Sequence, residues 1–405
     1  MQMYRYGRLA RLLYWVLAVA IALLAMRNAL ISGLALRAPD IAMNLSPYNA
    51  TAVVARFDRS LVVNDGDRRR ILTDVKSPTH SLTNAPLDPG PFRVLALAKS
   101  QLGQNSDEVR RLMQASERLS RRDLAVQLWL IEDAVARNDL NAALVHYDRA
   151  LSVHPDVSAL LFPIIAGALD AEQIIGALAP YLRAWRPWIP AFMEFAVNNA
   201  AEPMDVLLLL RRSAIRPTDP KIRPYERLLL AQLVVNGRYK EAHALAVAMA
   251  GTDARRLSQF DFSGVSADPD LQPFSWTLGM EGGIDARPTA DSGLEISVSQ
   301  STKGVAASRV VYIQPGRHIF TWAVDIPNAP SGIGGSWTAS CLSPKGNFGV
   351  WNQDIPDQAG TRRYRSQIDV PDNCPALIME LAFNSVDSQF GATIKVRSVD
   401  LRRIP

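Results

Sequence analysis

Residues that commonly catalyse reactions or bind metals are sparse in this chain. Its five histidines are His80, His146, His154, His243 and His318. His146 and His154 are eight residues apart with no acid at the spacing of a metal ligand set, and the other three are isolated in the sequence. The sequence therefore predicts no catalytic, metal or cofactor site, and His146 and His154 are expected to be surface or helix-cap residues.

The sequence patterns of the common enzyme classes are missing as well. The glycine-rich run 331–336 lacks the Lys-Ser/Thr pair of a phosphate-binding loop, so we interpret it as a hairpin loop. No nucleophile elbow or dinucleotide-binding fingerprint occurs in the sequence. Glu380 and Asp387 could form the carboxylate pair of a glycoside hydrolase. A protein without enzymatic activity is the leading interpretation, and a glycan hydrolase or esterase is the alternative.

A candidate binding site is centred on Trp351. Sugar-binding sites place aromatic rings beside amide, carboxylate or guanidinium groups. Trp351 lies in the run GNFGVWNQDIP, which has the character of a loop and gives the ring no evident strand partner. We predict that this run binds glycan, and the alternative is that the ring packs within the loop. The predicted site consists of Phe348, Trp351, Asn352, Gln353 and Asp354.

Two cysteines, Cys341 and Cys374, lie in the last third of the chain. Two thiols without nearby histidines cannot complete a tetrahedral metal site. We predict a disulfide within one β domain, which fits an oxidising compartment, and two buried free thiols are the alternative. Cys341 lies in the run SWTASCLS and Cys374 in the turn PDNCPA, so the bond would tie that turn to a strand.

These candidate residues belong to a segment with the periodicity of β-strands. From residue 258 to residue 405, short alternating runs are separated by Gly, Pro, Asn and Asp. Three runs have one apolar face that a second sheet must cover, which predicts an all-β sandwich or jelly roll. The alternation inverts near Ser398, where we expect a β-bulge. The apolar faces are Leu294, Ile296 and Val298, then Phe320, Trp322, Val324 and Ile326, then Leu377, Met379, Leu381 and Phe383.

Residues 46–251 have helical periodicity and are rich in Ala and Leu. The stretches ARNDLNAALVHYDRALSVHP and NGRYKEAHALA match each other, with Asn138 equivalent to Gly237 at an offset of 99 residues. Since this offset equals about three repeats of 33 or 34 residues, the segment resembles an all-α array of degenerate tetratricopeptide repeats. Such arrays bind peptides or partner proteins, and a helical spacer is the alternative.

The N-terminal segment predicts the location of the protein. Residues 12–26 are apolar, three arginines precede them, and no acid occurs before Asp40. If Arg27 snorkels to the interface, the apolar stretch covers residues 12–36 and can form one tilted transmembrane span. The arginines favour a cytoplasmic N-terminus, residues 1–11, and a periplasmic bulk. A cleaved signal peptide is the alternative.

Length and charge limit the remaining classes. The chain has 405 residues, more than one ordinary core holds, and a net charge of +5. Its basic runs at 68–70, 121–122 and 362–363 lie far apart and near acids. A nucleic-acid surface needs clustered positive charge, so the sequence predicts no nucleic-acid partner.

The run YIQPGRHIF at Tyr312–Phe320, the later apolar strand and the closing VRSVDLRRI resemble the jelly-roll domains of carbohydrate-binding modules. With its anchor and repeats, the whole chain resembles membrane-anchored, tetratricopeptide-repeat-like envelope proteins associated with exopolysaccharide. This resemblance implies a single-pass protein of the bacterial inner membrane that acts as a scaffold in envelope assembly. Residues 46–251 would dock a protein partner, and residues 258–405 would bind glycan or protein.

Overall fold

The computed structural model describes residues 3–62, 68–104, 106–280, 282–327, 332–343, 346–385 and 391–404. Within these residues the chain forms fifteen α-helices and then an antiparallel β-sandwich. It divides into two compact units, Met1–Leu161 and Phe162–Pro405, and the second unit contains the sandwich.

The helices are α1 (Met3–Ala35), α2 (Pro39–Leu45), α3 (Ala50–Val62), α4 (Arg68–Leu72), α5 (Lys76–Asn84), α6 (Pro89–Gln101), α7 (Ser106–Leu119), α8 (Leu124–Ala136), α9 (Leu140–Val153), α10 (Ser158–Gly167), α11 (Glu172–Arg183), α12 (Ile189–Asn199), α13 (Pro203–Ser213), α14 (Arg223–Val235) and α15 (Tyr239–Ala250). The strands are β1 (Thr277–Leu278), β2 (Ile284–Pro288), β3 (Leu294–Val298), β4 (Lys303–Tyr312), β5 (Gly316–Ile326), β6 (Gly334–Leu342), β7 (Phe348–Ile355), β8 (Gly360–Val370), β9 (Ala376–Asn384) and β10 (Ala392–Arg403).

Helix α1 is long and apolar enough to cross a membrane over Tyr14–Ala35, a stretch of 22 residues. Its large apolar side chains are exposed around the helix, from Tyr14 at 67% to Leu30 at 53%. Near its C-terminal end the helix packs on α2 and α3, where Ile31 and Ala35 are buried. A helix that is apolar on every side suits hydrocarbon better than water.

Three helical hairpins, α6/α7, α8/α9 and α14/α15, share one turn geometry. The turns contain Gly103, Asn138 and Gly237, whose φ values are 67°, 57° and 71°. Asn138 donates its amide hydrogen to the oxygen of Val135 at 2.9 Å, and Gly237 donates to Val234 at 3.0 Å. In each turn the next amide donates to the oxygen five residues earlier, as in a Schellman cap. The residues matched by sequence, Asn138 and Gly237, thus have the same structural role.

Two five-stranded antiparallel sheets form the sandwich. Their strand orders are β1-β4-β9-β6-β7 and β2-β3-β10-β5-β8. The predicted apolar faces are buried in one core, with Leu294, Phe320 and Leu377 each 0% exposed. Since alternate strand residues point to opposite sides, these side chains lie between the sheets. The predicted change from helix to an all-β sandwich is confirmed.

The predicted bulge in the last strand is also present. The pairing of β10 with β5 shifts between Arg397 and Asp400. Ser398 lies in this shift with a φ of 54°, in the left-handed region. The extra residue lets Val396 and Val399 both be buried although they are three positions apart.

The predicted disulfide joins Cys341 to Cys374, with their α-carbons 5.6 Å apart. Both residues are fully buried. Cys341 lies in β6, and Cys374 lies in the turn between β8 and β9, where its amide donates to the oxygen of Pro371 at 3.0 Å. Because β8 and β9 belong to different sheets, the bond fixes the point at which the chain crosses between them.

Candidate functional site

The five residues predicted to bind glycan all lie in β7, so the expectation of a loop is wrong. β7 pairs with β6 and forms the edge of its sheet. An edge strand has one neighbour and much solvent contact, so its residues need not alternate strictly between apolar and polar. The run GNFGVWNQDIP therefore has the composition of a loop although it forms a strand.

The strand divides the predicted site between two faces. Trp351 and Gln353 are partly buried, whereas Asn352 and Asp354 are exposed. In a strand these two pairs point to opposite sides. Phe348, at the start of β7, is 39% exposed. The structure therefore keeps Trp351 and Gln353 together and separates them from Asn352 and Asp354.

The ring of Trp351 packs against the aromatic part of the sandwich core. Its centroid lies 5.6 Å from that of Phe320 and 5.8 Å from that of Trp322, with both pairs edge to face. Trp322 is 2% exposed and contacts the partly exposed ring of Trp351 from the side of the core. Edge-to-face contacts of this kind orient an aromatic ring as well as stabilise it.

Across the open side of the sandwich, β8 is the edge strand of the second sheet. Tyr364 of β8 is partly buried, and its ring stacks on that of Trp322. The two ring centroids are 4.9 Å apart, and the ring planes are 6° from parallel. The hydroxyl of Ser366 donates a hydrogen bond to Oε1 of Gln353 at 3.3 Å, which links the two strands. We call the surface formed by Trp351, Gln353, Tyr364 and Ser366 the β7–β8 edge.

Three arginines lie beside Tyr364 in β8, and one of them shares the face of the β7–β8 edge. Arg362 is partly buried and shares the strand face of Tyr364 and Ser366, because the three are two residues apart. Within the described parts of the chain, no carboxylate lies within salt-bridge distance of Arg362. Arg363 and Arg365 are exposed on the opposite face of β8. Arg362 is therefore available to donate hydrogen bonds to hydroxyl or carboxylate groups at the edge.

Sequence reasoning missed Tyr364 and Ser366. Tyr364 has the strand parity of Ile368 and Val370, which are buried, so alternation predicts a core residue. Its partial exposure arises because β8 is an edge strand. The polar run on both sides of Tyr364, from Arg362 to Gln367, could have indicated this partial exposure.

The carboxylate considered for an enzyme site lies elsewhere in the sandwich. Glu380 of β9 is partly buried and pairs across the strands with Ser308 of β4 and Thr338 of β6. Its suggested partner, Asp387, lies outside the described residues. Glu380 is on the strand face opposite to Met379 and Leu381, so it points away from the core.

No family model matches the chain, and no curated protein matches it. Similar solved structures include a family 16 carbohydrate-binding module, with 12% identity over 32% of this chain and 90% of that chain and a TM-score of 0.24. The N-terminal cellulose-binding domain of Cellulomonas fimi beta-1,4-glucanase C has 14% identity over 33% of this chain and 91% of that chain, with a TM-score of 0.23. CBM4 has 8% identity over 32% and 84% of the two chains, with a TM-score of 0.25. The matched region is the C-terminal β domain.

Proposed function

We propose that this protein is a membrane-anchored glycan-binding scaffold without enzymatic activity, and that it binds polysaccharide at the β7–β8 edge. The observation that carries the proposal is the pair of partly exposed rings, Trp351 and Tyr364, on facing edge strands and in contact with one buried ring, Trp322. A sugar ring has an apolar face that packs on such aromatic rings.

The rings are held before any ligand arrives. Trp322 contacts both rings, and the Ser366–Gln353 hydrogen bond joins their strands. A site that is ordered in advance loses less conformational entropy on binding, which matters for the weak contacts of a single sugar. Polar groups of Gln353, Ser366 and Arg362 supply the hydrogen bonds that a sugar's hydroxyls require.

The anchor in this proposal is α1. Its exposed apolar surface and the arginines at its N-terminal end, before the candidate span, support a single span with a cytoplasmic N-terminus and a periplasmic bulk. The buried disulfide supports the same location, because such bonds persist in oxidising compartments. The resemblance of the sequence to exopolysaccharide-associated envelope proteins then favours the bacterial inner membrane and a role in envelope assembly.

We assign partner docking to the helical residues 46–251 as degenerate tetratricopeptide-like repeats. The shared Schellman turns at Asn138 and Gly237 support this assignment. The matched alanines that follow them, Ala143 and Ala242, are 1% and 0% exposed, and their small size lets paired helices approach closely. Helical arrays of this kind present surfaces to peptides and proteins.

The test measures polysaccharide binding by the full-length protein in detergent, by affinity electrophoresis against a panel of neutral and acidic polysaccharides. Trp351→Ala and Tyr364→Ala should each weaken binding roughly tenfold, the loss of one aromatic platform. Tyr48→Ala is the matched control, since Tyr48 is an aromatic residue of the helical part and 41% exposed. Binding that both edge variants retain in full would refute the edge as the site. Release of reducing ends from a bound polysaccharide would instead establish the enzyme.

A further inference from the structure

A cavity of about 280 Å³ lies within the second unit, where α15, residues 257–274 and the sandwich meet. Its polar lining comes from parts of the chain that are far apart in sequence: α15, the end of β4, the start of β5 and the end of β10. Besides Ser258, the polar residues of the lining are His243, Arg309, Tyr312, Gln314, His318 and Arg403. None of them belongs to the β7–β8 edge, so the inference does not rest on glycan binding there.

Arg309 places a positive charge at the base of the cavity. It is 5% exposed and donates hydrogen bonds to the main-chain oxygens of Leu257 and Gln259. Its guanidinium carbon lies 4.9 Å from the ring centroid of Phe260. Burial lowers the pKa of Arg309 to about 10, and the carboxylate of Asp261 offsets this in part. Among the described residues, no carboxylate lies within salt-bridge distance of Arg309.

Arg403 supplies a second positive charge at the mouth. It is exposed, and it donates to Oε1 of Gln314 at 2.6 Å and to the oxygen of Pro315 at 3.3 Å. It pairs across the strands with His318, so both side chains lie on the same face of the sheet. As with Arg309, the described chain provides no carboxylate partner for Arg403.

Two histidines complete the polar lining, and both have unused hydrogen-bonding nitrogens. His243 stacks on Tyr312 with ring centroids 5.2 Å apart, and within the described residues its nitrogens have no hydrogen-bond partner. His318 is 4% exposed, and its Nδ1 lies 3.1 Å from the main-chain oxygen of Gly316. Its Nε2 makes no hydrogen bond within the described residues. Burial, together with Arg309, lowers the pKa of His243 and so favours the neutral ring, which can donate or accept a hydrogen bond.

The rest of the lining is apolar. It consists chiefly of Leu257, Phe260, Phe274, Ile313 and Leu401. An entirely polar anion such as inorganic phosphate would lose hydration against this wall without gaining contacts there. A ligand with an apolar face and one charged group fits both parts of the lining.

We propose that this cavity binds a small carboxylate whose body is the size of one sugar ring, such as a uronic acid. The carboxylate would lie between Arg309 and Arg403, where it would accept charge-assisted hydrogen bonds and offset a buried cation that forms no salt bridge within the described residues. The ring would lie against the stacked His243 and Tyr312 and the apolar wall. The volume is at the lower end of ligand pockets, roughly 300 to 1,000 Å³, which suits a single ring.

The test is isothermal titration of the full-length protein in detergent with three probes: glucuronate, glucose and inorganic phosphate. Glucuronate should bind, and glucose and phosphate should bind at least about tenfold more weakly, because one lacks the charge and the other the ring. Arg403→Gln should weaken glucuronate binding about tenfold. Arg402→Gln is the matched control: it removes the same charge from the neighbouring residue, which pairs with Asp400 and lies on the opposite strand face.

A second variant guards against effects on folding. His243→Ala keeps α15 helical, since alanine has the highest helix propensity, and it should also weaken glucuronate binding while the melting temperature stays close to that of the wild type. Glucose or phosphate binding as tightly as glucuronate would overturn the proposal. So would equal effects of Arg403→Gln and Arg402→Gln, or no heat of binding with millimolar glucuronate.

Discussion

The guanidinium of Arg27 donates a hydrogen bond to the main-chain oxygen of Leu45 at 2.9 Å. Arg27 lies within the candidate span of α1, and Leu45 is the last residue of α2. The bond therefore fixes the C-terminal end of α2 against α1. Leu36, Ile41 and Leu45 are 72%, 54% and 43% exposed beside it. If α1 spans the membrane, these side chains lie in the interface, where long arginine side chains also place their charge.

We therefore expect Arg27→Ala to release α2 from the membrane interface. In membranes, a cysteine at Leu45→Cys should resist a water-soluble maleimide in the otherwise wild-type chain and react several times faster when Arg27→Ala is added. Thr51→Cys, at an exposed position of α3, should react equally in both backgrounds. Equal labelling of Leu45→Cys in both would show that the bond does not position α2.

The topology can be tested separately. A reporter that is active only in the cytoplasm, fused after Pro405, should be silent, because the arginines before the candidate span of α1 favour a cytoplasmic N-terminus. The same reporter fused before α1 should be active. An active C-terminal fusion would reverse the topology and place the cysteines in a reducing compartment.

Loss of the Cys341–Cys374 bond should destabilise the sandwich. The bond spans 33 residues in sequence, and for a loop of this size the chain-entropy model gives about 3 to 4 kcal/mol. Cys341→Ala with Cys374→Ala should therefore lower the melting temperature of the sandwich markedly, and a reductant should do the same to the wild type. A reductant should leave the double variant unchanged. Two reactive thiols in the unreduced, denatured wild type would contradict the bond.

Glu226 should make the second unit less stable as the pH rises. It is 2% exposed in α14, and burial raises the pKa of its carboxyl to about 8. Between its usual pKa of 4.5 and about 8, the folded protein keeps a proton that the unfolded chain releases, so stability falls with rising pH in this window. Below the window the carboxyl is protonated in both states, and the effect disappears.

Glu226→Gln removes this titration. The free energy of unfolding of the variant minus that of the wild type should therefore be larger at about pH 9 than at about pH 5, by up to a few kcal/mol. Urea unfolding at both pH values measures the difference. Glu132→Gln, at an exposed position of α8, is the control for loss of a carboxylate. A constant difference between Glu226→Gln and the wild type would show that Glu226 is ionised in the folded protein.

Local patterns in the sequence predicted much of the sandwich. Alternation located the buried faces of Leu294, Phe320 and Leu377, and one break in the alternation located the bulge at Ser398. These features depend on residues that are neighbours along one strand. The disulfide followed from two cysteines with no other partner.

The candidate sites were harder to predict, because they depend on the order of strands within each sheet. The polar run around Tyr364 is the one local sign that β8 lies at an edge, and no local pattern indicates that β8 faces Trp351 across the open side of the sandwich. Likewise, His243 and His318 are isolated in the sequence, and no site was predicted for them. They line one cavity because α15 packs on β4, a contact between distant parts of the chain.

The disulfide ties the end of one strand of the proposed binding site to the opposite sheet. Tyr364 lies in β8, and the turn that ends this strand contains Cys374, which is bonded to β6 of the opposite sheet. A chain still in the cytoplasm would have two thiols at this point, and the end of β8 would be held only by its pairing with β5 and by packing. Oxidation after export would then fasten the strand that carries one of the two proposed sugar-stacking rings. On the proposed topology, the binding site would therefore be complete only after the disulfide has formed.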